Sequence, residues 1–475
     1  MTSSRVVEKL SSKESLRKKL NGQDPYEWDN NYIDTLNQLK KDESEKVTIV
    51  LSPNTAVSND QRQFSGGYLF LQKLYHELGL NLNCNKISKK YSFKFDLDNI
   101  FSRLLYSRII YPSSKLTTFK LSTKFLEPRN FELHDVYRAL DVIANETDYI
   151  QANIYKNSLK CSKRNTNILY YDCTNFFFEI DNESGLKQYG ISKEHRPNPI
   201  VQMGLFIDGY GLPLAFSINP GNTNEKTSLK PLEKRILNDF KLSKFIVCTD
   251  AGLASTANRM FNNYGDRAFV TTQSIKQLKD HLMIWALDTK RWRICGSDRF
   301  YDISAIDEDE YKKSIFYKER WINENGLEQR LIVTFSVKTK IYQRHIRQEQ
   351  IERAEKLIKI KPKNFKTNQN DHKRFVVMTK STKSGEIAEV IDYSLNTELI
   401  TKEEKFDGFY AVCTNLDGKV QEIIEINRRR WEIEESFRIM KSEFKSRPVY
   451  LSRDNRIHAH FTTCFVALII YRMLE

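Results

Sequence analysis

Residues 167–180, NILYYDCTNFFFEI, constrain this chain more than any other stretch. Aromatic and β-branched residues fill it almost without a break, so it predicts a buried strand. The next apolar runs, PIVQMGLFI and LPLAFSI, flank Asp208-Gly209-Tyr210-Gly211 and predict a hairpin. TSLKPLEKRILNDF then has the spacing of an amphipathic helix, and KFIVCTD is a short apolar strand ending in aspartate. A helical stretch, ASTANRMFNNYG, precedes a fifth strand, AFVTTQ.

Three consecutive strands, a helix, a fourth strand, a helix and a fifth strand is the order of a ribonuclease-H-like α/β core. That expectation is an analogy of fold, and only a site can support it. Residues 161–273 form the first part of this core and 406–475 the second, beginning with the strand FDGFYAVCTN and a long helix over QEIIEINRRRWEIEESFRIMKSEF. Between them, residues 274–405 predict a β-rich insertion with strands at RLIVTFS and RFVVMT, a charged helix at QRHIRQEQIERAEKLIKI, and a loop at 361–373. Residues 61–160 read as helical in GGYLFLQKLYHELGL, LDNIFSRLLYSRII and HDVYRALDVIANETDYIQANIY, with Pro112-Ser113-Ser114 as a break between helices. Residues 1–60 are charged and read as loosely ordered.

Composition narrows the class. With 40% hydrophobic residues the 475-residue chain has ample material for a core. Its 75 basic against 61 acidic residues, a net charge of +14, suit a polyanionic partner, although a basic surface alone would give the same balance. The seven cysteines are scattered without a C-x-x-C pair, which argues against a disulfide framework or zinc site and fits a reducing cytoplasm. The N-terminus lacks the apolar core of a signal peptide. The longest apolar run, Phe461 to Met473, is too short to span a bilayer and predicts a buried helix. These readings describe a soluble, cytoplasmic protein with no membrane partner. No GxGxxG, P-loop or nucleophile elbow points to a metabolic enzyme.

Three carboxylates stand out. Asp172 interrupts an apolar strand, where an unpaired charge is expensive. Asp250 ends another strand beside Ala251-Gly252, a position that also suits a helix cap. Neighbouring strands would bring the two tips together. In INRRRWEIEESFRIMK, helical geometry puts Arg430, Glu434 and Lys441 within about 40° of one another on one face, with Asn427 nearby. A basic–acidic–basic stripe of this kind allows metal binding by the glutamate and phosphate binding by its neighbours. It is equally the pattern of a solvated helix with ion pairs. Two metal ions held by such carboxylates would stabilise both the attacking and the leaving oxygen of a phosphoryl transfer.

With these residues in place, the sequence resembles the DDE transposases of bacterial insertion sequences, in the subgroup with a Y-x2-R-x3-E-x6-K signature. Arg430-x3-Glu434-x6-Lys441 matches in register, while Asn427 occupies the tyrosine position. Tyr171-Asp172-Cys173-Thr174 and Thr249-Asp250-Ala251-Gly252 match the two aspartate motifs. The stretches YGISKEHRPNPIVQMGLFID and GLPLAFSINPGNTNEKTSL resemble the block between them. The resemblance implies that Asp172, Asp250 and Glu434 are catalytic and bind two magnesium ions, with manganese as a substitute. It implies that Arg430 and Lys441 contact phosphates, and Asn427 is grouped with them. Lys193, His195 and Arg196 form a basic loop also expected at DNA, unless it is tied up in loop salt bridges. The helical region would bind the element's terminal inverted repeats, and a homodimer would join two ends to target DNA. A nuclease without strand transfer and a degenerate copy that only binds DNA are the alternatives.

Overall fold

The computed structural model describes residues 15, 18, 20–22, 24–45, 64–360, 371–381 and 390–475. Most of the loose N-terminus expected over 1–60, and most of the loop expected over 361–373, lie outside the described residues. Two compact units divide the chain: Met1–Lys73 with Thr123–Pro128, and Leu74–Ser122 with Arg129–Glu475. In the first, α1 (Pro25–Glu45) is a 21-residue helix, and the Tyr68 hydroxyl donates to Glu127 at 2.6 Å.

Helix α2 (Tyr68–Glu77) leads from the first unit into the second, which continues with α3 (Leu80–Lys90), α4 (Leu97–Ile110), α5 (Lys115–Leu121), α6 (Leu133–Asn145) and α7 (Thr147–Cys161). Asp96 caps α4 by accepting from the Asn99 amide at 2.9 Å, and Ser114 caps α5 by accepting from Thr117 at 3.1 Å. The Pro112-Ser113-Ser114 break therefore separates two helices, as its composition predicts.

The strands expected from the apolar runs are all present: β1 (Ile168–Phe177), β2 (Ile200–Asp208), β3 (Pro213–Pro220), β4 (Ile246–Thr249) and β5 (Ala268–Gln273), with α8 (Glu225–Asp239) and α9 (Thr256–Phe261) between the later ones. Every residue of β2 is buried, as the apolar sequence requires. The segment 274–405 supplies α10 (Asp280–Leu287), β6 (Arg293–Ile294), β7 (Ile315–Glu324), β8 (Leu327–Ser336) and α11 (Val337–Ile360). It continues with β9 (Val376–Ser381), β10 (Val390–Leu395) and α12 (Thr397–Glu404), and β11 (Phe409–Thr414) follows. All but β9 and β10 form one mixed nine-stranded sheet in the order β3-β2-β1-β4-β5-β11-β8-β7-β6. β1, β4 and β5 run parallel, and the other neighbours are antiparallel. Three strands of the inserted segment thus extend the core sheet through β11, while β9 and β10 pair with each other beside α11.

The single long helix expected over 421–444 is corrected by the structure. It breaks into α13 (Val420–Arg428) and α14 (Trp431–Arg438), followed by a π turn at Ile439–Glu443. At the break the Arg430 amide donates to the Asn427 carbonyl at 3.3 Å and Glu432 to Arg429 at 3.1 Å, so the turn tightens to i→i−3 bonds. The reason is packing: α13 rests on β5, whereas α14 rests on β1 and β2. One straight helix would not follow both surfaces of a twisted sheet.

The last helix, α15 (Asp454–Leu474), is long and apolar enough to cross a membrane, with mean hydropathy 1.4, yet 72% of that apolar window is buried inside the fold. It packs on α4, α6 and β3, and Phe461 and Phe465 meet Phe176 and Phe216 at ring-centroid distances of 4.7 and 4.9 Å. Each buried Phe, Ile, Leu or Val contributes about 1.5–3 kcal/mol. A core helix is its role here.

Candidate active site

Parallel pairing sets the geometry of the first two carboxylates. Tyr170 of β1 is opposite Cys248 of β4. Two residues further on come Asp172, within β1, and Asp250, just past the end of β4 at Thr249. Both are half-buried. The Cys173 amide donates to Asp172 at 2.7 Å, and the Leu253 amide to Asp250 at 3.1 Å. Asp250 therefore caps the turn after β4 and still faces Asp172. Burial pushes the Asp172 carboxyl up to about 6, opposed by Lys193 and reinforced by the like charge of Asp250. The two like charges repel each other.

Arg430 is the nearest fixed positive group on the final helices. It is raised above its usual range because Tyr410, Asp250, Cys248 and Asp172 outweigh its burial. Its Nη1 donates to Thr272 Oγ1 at 3.0 Å, and Thr272 Oγ1 lies 2.6 Å from the Tyr410 hydroxyl. Asn427 Nδ2 donates to that same hydroxyl at 3.2 Å. A phenol from β11 thus sits against the asparagine that replaces the signature tyrosine. Sequence reasoning missed Tyr410 and Thr272. The only available signal was a tyrosine in a strand next to β5, and that adjacency is not visible without strand pairing.

Glu434 is placed differently. Its carboxylate is 3.6 Å from Arg430 Nη2 and its side chain is 63% exposed. With Asn427, Arg430, Tyr410, Trp431 and Lys338 it lines an open cleft of about 750 Å³. Among the described residues no group of three or more His, Cys, Asp and Glu side chains is arranged to hold a metal ion. The expectation of one shared stripe also changes at Lys441. It falls in the π turn, and its Nζ pairs with Glu194 at 3.3 Å. Burial and Lys193 pull Lys441 down to about 8, and Asp172 opposes them. The π turn after α14 shifts Lys441 out of phase with Glu434, so that Lys441 feels the charge of Asp172 while Glu434 lines the cleft.

The basic loop divides in the same way. Lys193 pairs with Glu225 at 3.1 Å and with the Cys173 carbonyl; burial would lower it, but Asp172 and Glu225 raise it. Arg196 lies 3.8 Å from Glu194 and stacks on Phe177 at 4.1 Å. His195 is exposed at φ 55°, and its ring is directed to no partner among the described contacts. Asp172, Asp250, Arg430, Lys193 and Lys441 therefore share one electrostatic neighbourhood. Glu434 and Asn427 join it through Arg430 and Tyr410, while His195 and Arg196 stay on the outer loop.

Two neighbouring carboxylates, one within β1 and one just after β4, are a hard-oxygen donor set of the kind divalent cations prefer. Their mutual repulsion is what such a cation would relieve. A family model described as "Transposase DDE domain" matches residues 177–470, well over half of the chain. The chain belongs to that family. The match takes in Asp250, Arg430, Glu434 and Lys441 and begins five positions after Asp172. A solved structure described as a piggyBac transposase synaptic complex with hairpin DNA is similar at 9% identity and a TM-score of 0.41. The similarity covers 87% of this chain and 77% of that one. Among curated proteins none matches. For the transposase, the family implies divalent metal ions, and Asp172 with Asp250 is the part of the site whose chemistry fits them.

Proposed function

We propose that this transposase cuts DNA at the ends of an insertion sequence and joins them to target DNA, with Asp172 and Asp250 as the principal metal ligands and Glu434 as the third. The observation that carries the reading is the aspartate pair: two carboxylates just beyond the last parallel pair of β1 with β4, with burial and the like charge of Asp250 raising Asp172 to about 6. The sheet order β3-β2-β1-β4-β5 supports a ribonuclease-H-like core, because this order puts β1 beside β4, the two strands that lead to the aspartates.

Magnesium or manganese, when bound, would supply charge neutralisation and an activated oxygen nucleophile. The remaining work falls to the chain. Asp172 must be ionised to act as a ligand, and Lys193 and Arg430 favour that form. Arg430 is half-buried, always charged and anchored on Thr272, which suits it to hold a phosphate rigidly. Lys441, partly freed of its proton near pH 8, is a weaker point charge on the opposite side. Arg430 holds the Glu434 carboxylate on the cleft side at 3.6 Å, and a phosphate competing for that guanidinium would release it to turn toward the aspartates. Asn427, through Tyr410, keeps the arginine's anchoring hydroxyls in place. Lys193 neutralises the approach to Asp172, and the exposed His195 and Arg196 extend the positive surface for DNA. Terminal-repeat binding by the N-terminal helices, a synaptic homodimer and a cytoplasmic location at the nucleoid belong to the same proposal.

The test is magnesium-dependent cleavage and joining of DNA carrying the element's own ends, comparing wild type with Glu434→Gln. Loss of cleavage in the variant with end binding retained supports the three-carboxylate site. Equal cleavage by both removes Glu434 from it. Cleavage without joining replaces the transposase reading with a nuclease. Binding without cleavage by either protein replaces it with a DNA-binding copy.

A further inference from the structure

A second concentration of charge lies where α4, the Pro112–Leu116 segment, residues 445–451 and α15 meet. They enclose a cavity of about 370 Å³ lined by Arg108, Lys115, Lys445, Arg447 and His460, with no carboxylate among its lining residues. That volume is within the roughly 300–1,000 Å³ typical of ligand pockets. Arg108 is 5% exposed and Lys115 6%. Arg108 donates to the Phe444 carbonyl at 2.9 Å and to the Ser113 carbonyl at 3.2 Å, but its Nε has no partner. Lys115 Nζ and Ser113 Oγ have none either. His460 Nε2 lies 3.3 Å from the Ser446 carbonyl, and burial together with Arg108 and Lys115 holds the ring well below its usual range.

Two cations buried side by side without an acid are strongly unfavourable unless something neutralises them. Burial and the charge of Arg108 pull the Lys115 ammonium down to about 7, opposed by Cys464 on α15. Three unpartnered donors on residues lining one cavity (a guanidinium Nε, an ammonium and a hydroxyl) are complementary to a tetrahedral oxyanion. We propose that this cavity is a binding site for a phosphate group, supplied in the working protein by a phosphodiester of the DNA backbone. The phosphodiester source rests on the transposase reading, whereas the anion site does not.

Its position relative to the aspartates gives the DNA source its support. Arg447, on the cavity lining, is ion-paired with Glu194, which also pairs with Lys441 at 3.3 Å. Glu194 adjoins Lys193, whose charge acts on Asp172. A single backbone following these residues would present one phosphate to the aspartate pair and another to the cavity. Polar groups recur along the whole route, as a phosphate track requires.

The test uses the full chain, without DNA or metal, in inorganic phosphate against chloride of equal ionic strength. Thermal melting and calorimetric titration of the wild type are expected to show saturable phosphate binding that chloride does not mimic. Lys115→Met is expected to weaken it at least tenfold while melting in chloride no lower than wild type. No phosphate-specific effect in the wild type, or an equal effect in Lys115→Met, overturns the site. If Lys115→Met does not fold, Ser113→Ala takes its place, with weakening of several-fold expected and unchanged affinity as the overturning result. A labelled duplex then distinguishes the sources. Competition between phosphate and duplex, diminished in the variant, supports the phosphodiester; undiminished duplex binding with the cavity occupied assigns it to a free phosphate instead. Phosphate binding by a protein that never cleaves DNA would leave this site standing and overturn only the cleavage reading.

Discussion

The protein keeps unbalanced charge in two places, and the two are opposite in sign and in construction. The aspartate pair rests on two neighbouring strands, Asp172 within β1 and Asp250 just after β4, so its placement follows from the parallel pairing that ends two residues before each. The cationic cavity is assembled from α4, α15 and the residues between α14 and α15, with Arg108 reaching a carbonyl 336 positions away. One is rigid and open to an incoming cation; the other is enclosed and tuned to an anion. Charge left unneutralised inside a fold is costly, so each marks a place where a ligand of the missing sign belongs.

The contrast can be broken most directly by chemistry. Asp172→Asn or Asp250→Asn is expected to lower end cleavage on the order of 10³-fold while a labelled end duplex binds at least as well. If instead Lys115→Met abolished cleavage and the aspartate variants did not, the two sites would have exchanged roles. The next effect is on stability and runs oppositely at the two sites. An unfolded lysine keeps its proton to about pH 10.4, whereas folded Lys115 releases it near 7. Between those values the unfolded state binds more protons, so stability rises with pH, and below 7 the penalty is complete. Lys115→Met is therefore expected to stabilise the protein on the order of 4 kcal/mol at pH 6 in phosphate-free buffer, a gain that fades toward pH 10. Urea melts at pH 6 and 9 test the sign.

The aspartate pair gives the mirror image at smaller size. Folded Asp172 holds its proton to about 6, against about 3.9 unfolded. Stability from this group is thus present below pH 4, declines as pH rises to 6 and stays lost above it. Metal-free Asp172→Asn is expected to gain about 2–3 kcal/mol at pH 7 and nothing at pH 4. Melts that show no such pH difference would mean that Asp172 is paired in solution. The smallest expected effect is at Tyr410→Phe, which removes the hydroxyl joining Thr272 to Asn427. A loss of about 1 kcal/mol, or roughly fivefold in cleavage, is expected from single-turnover rates.

These same regions differ in how far the sequence discloses them. β1 to β5 are legible because apolar runs between turn residues admit few alternatives, and an aspartate in such a run draws notice at once. The paired level of Asp172 and Asp250 follows from a parallel sheet. Lys115 does not stand out: a lysine just after a capping serine reads as a surface residue, and only the packing of α4 against α15 buries it. The break at Arg429 and Arg430 was equally hidden, since arginine and glutamate favour a helix wherever it points. What decides it is that β5 and β1 present different surfaces to the chain. The partner of β8 could not be read from an apolar strand, and its pairing with β11 makes the inserted segment an extension of the sheet. The family resemblance located Glu434, but a motif carries no information about which side of Arg430 the carboxylate takes.

Helix α15 completes the groove formed by α4 and α6, although hundreds of residues separate it from them in the chain. A ribosome must therefore deliver Phe461 and Phe465 before the earlier helices can close over anything. Until then their apolar faces await a late partner, which is a long interval for chaperone capture or aggregation. Synthesis interrupted before α15 emerges would leave the aspartate strands with an unfinished core and the cationic cavity without one of its walls.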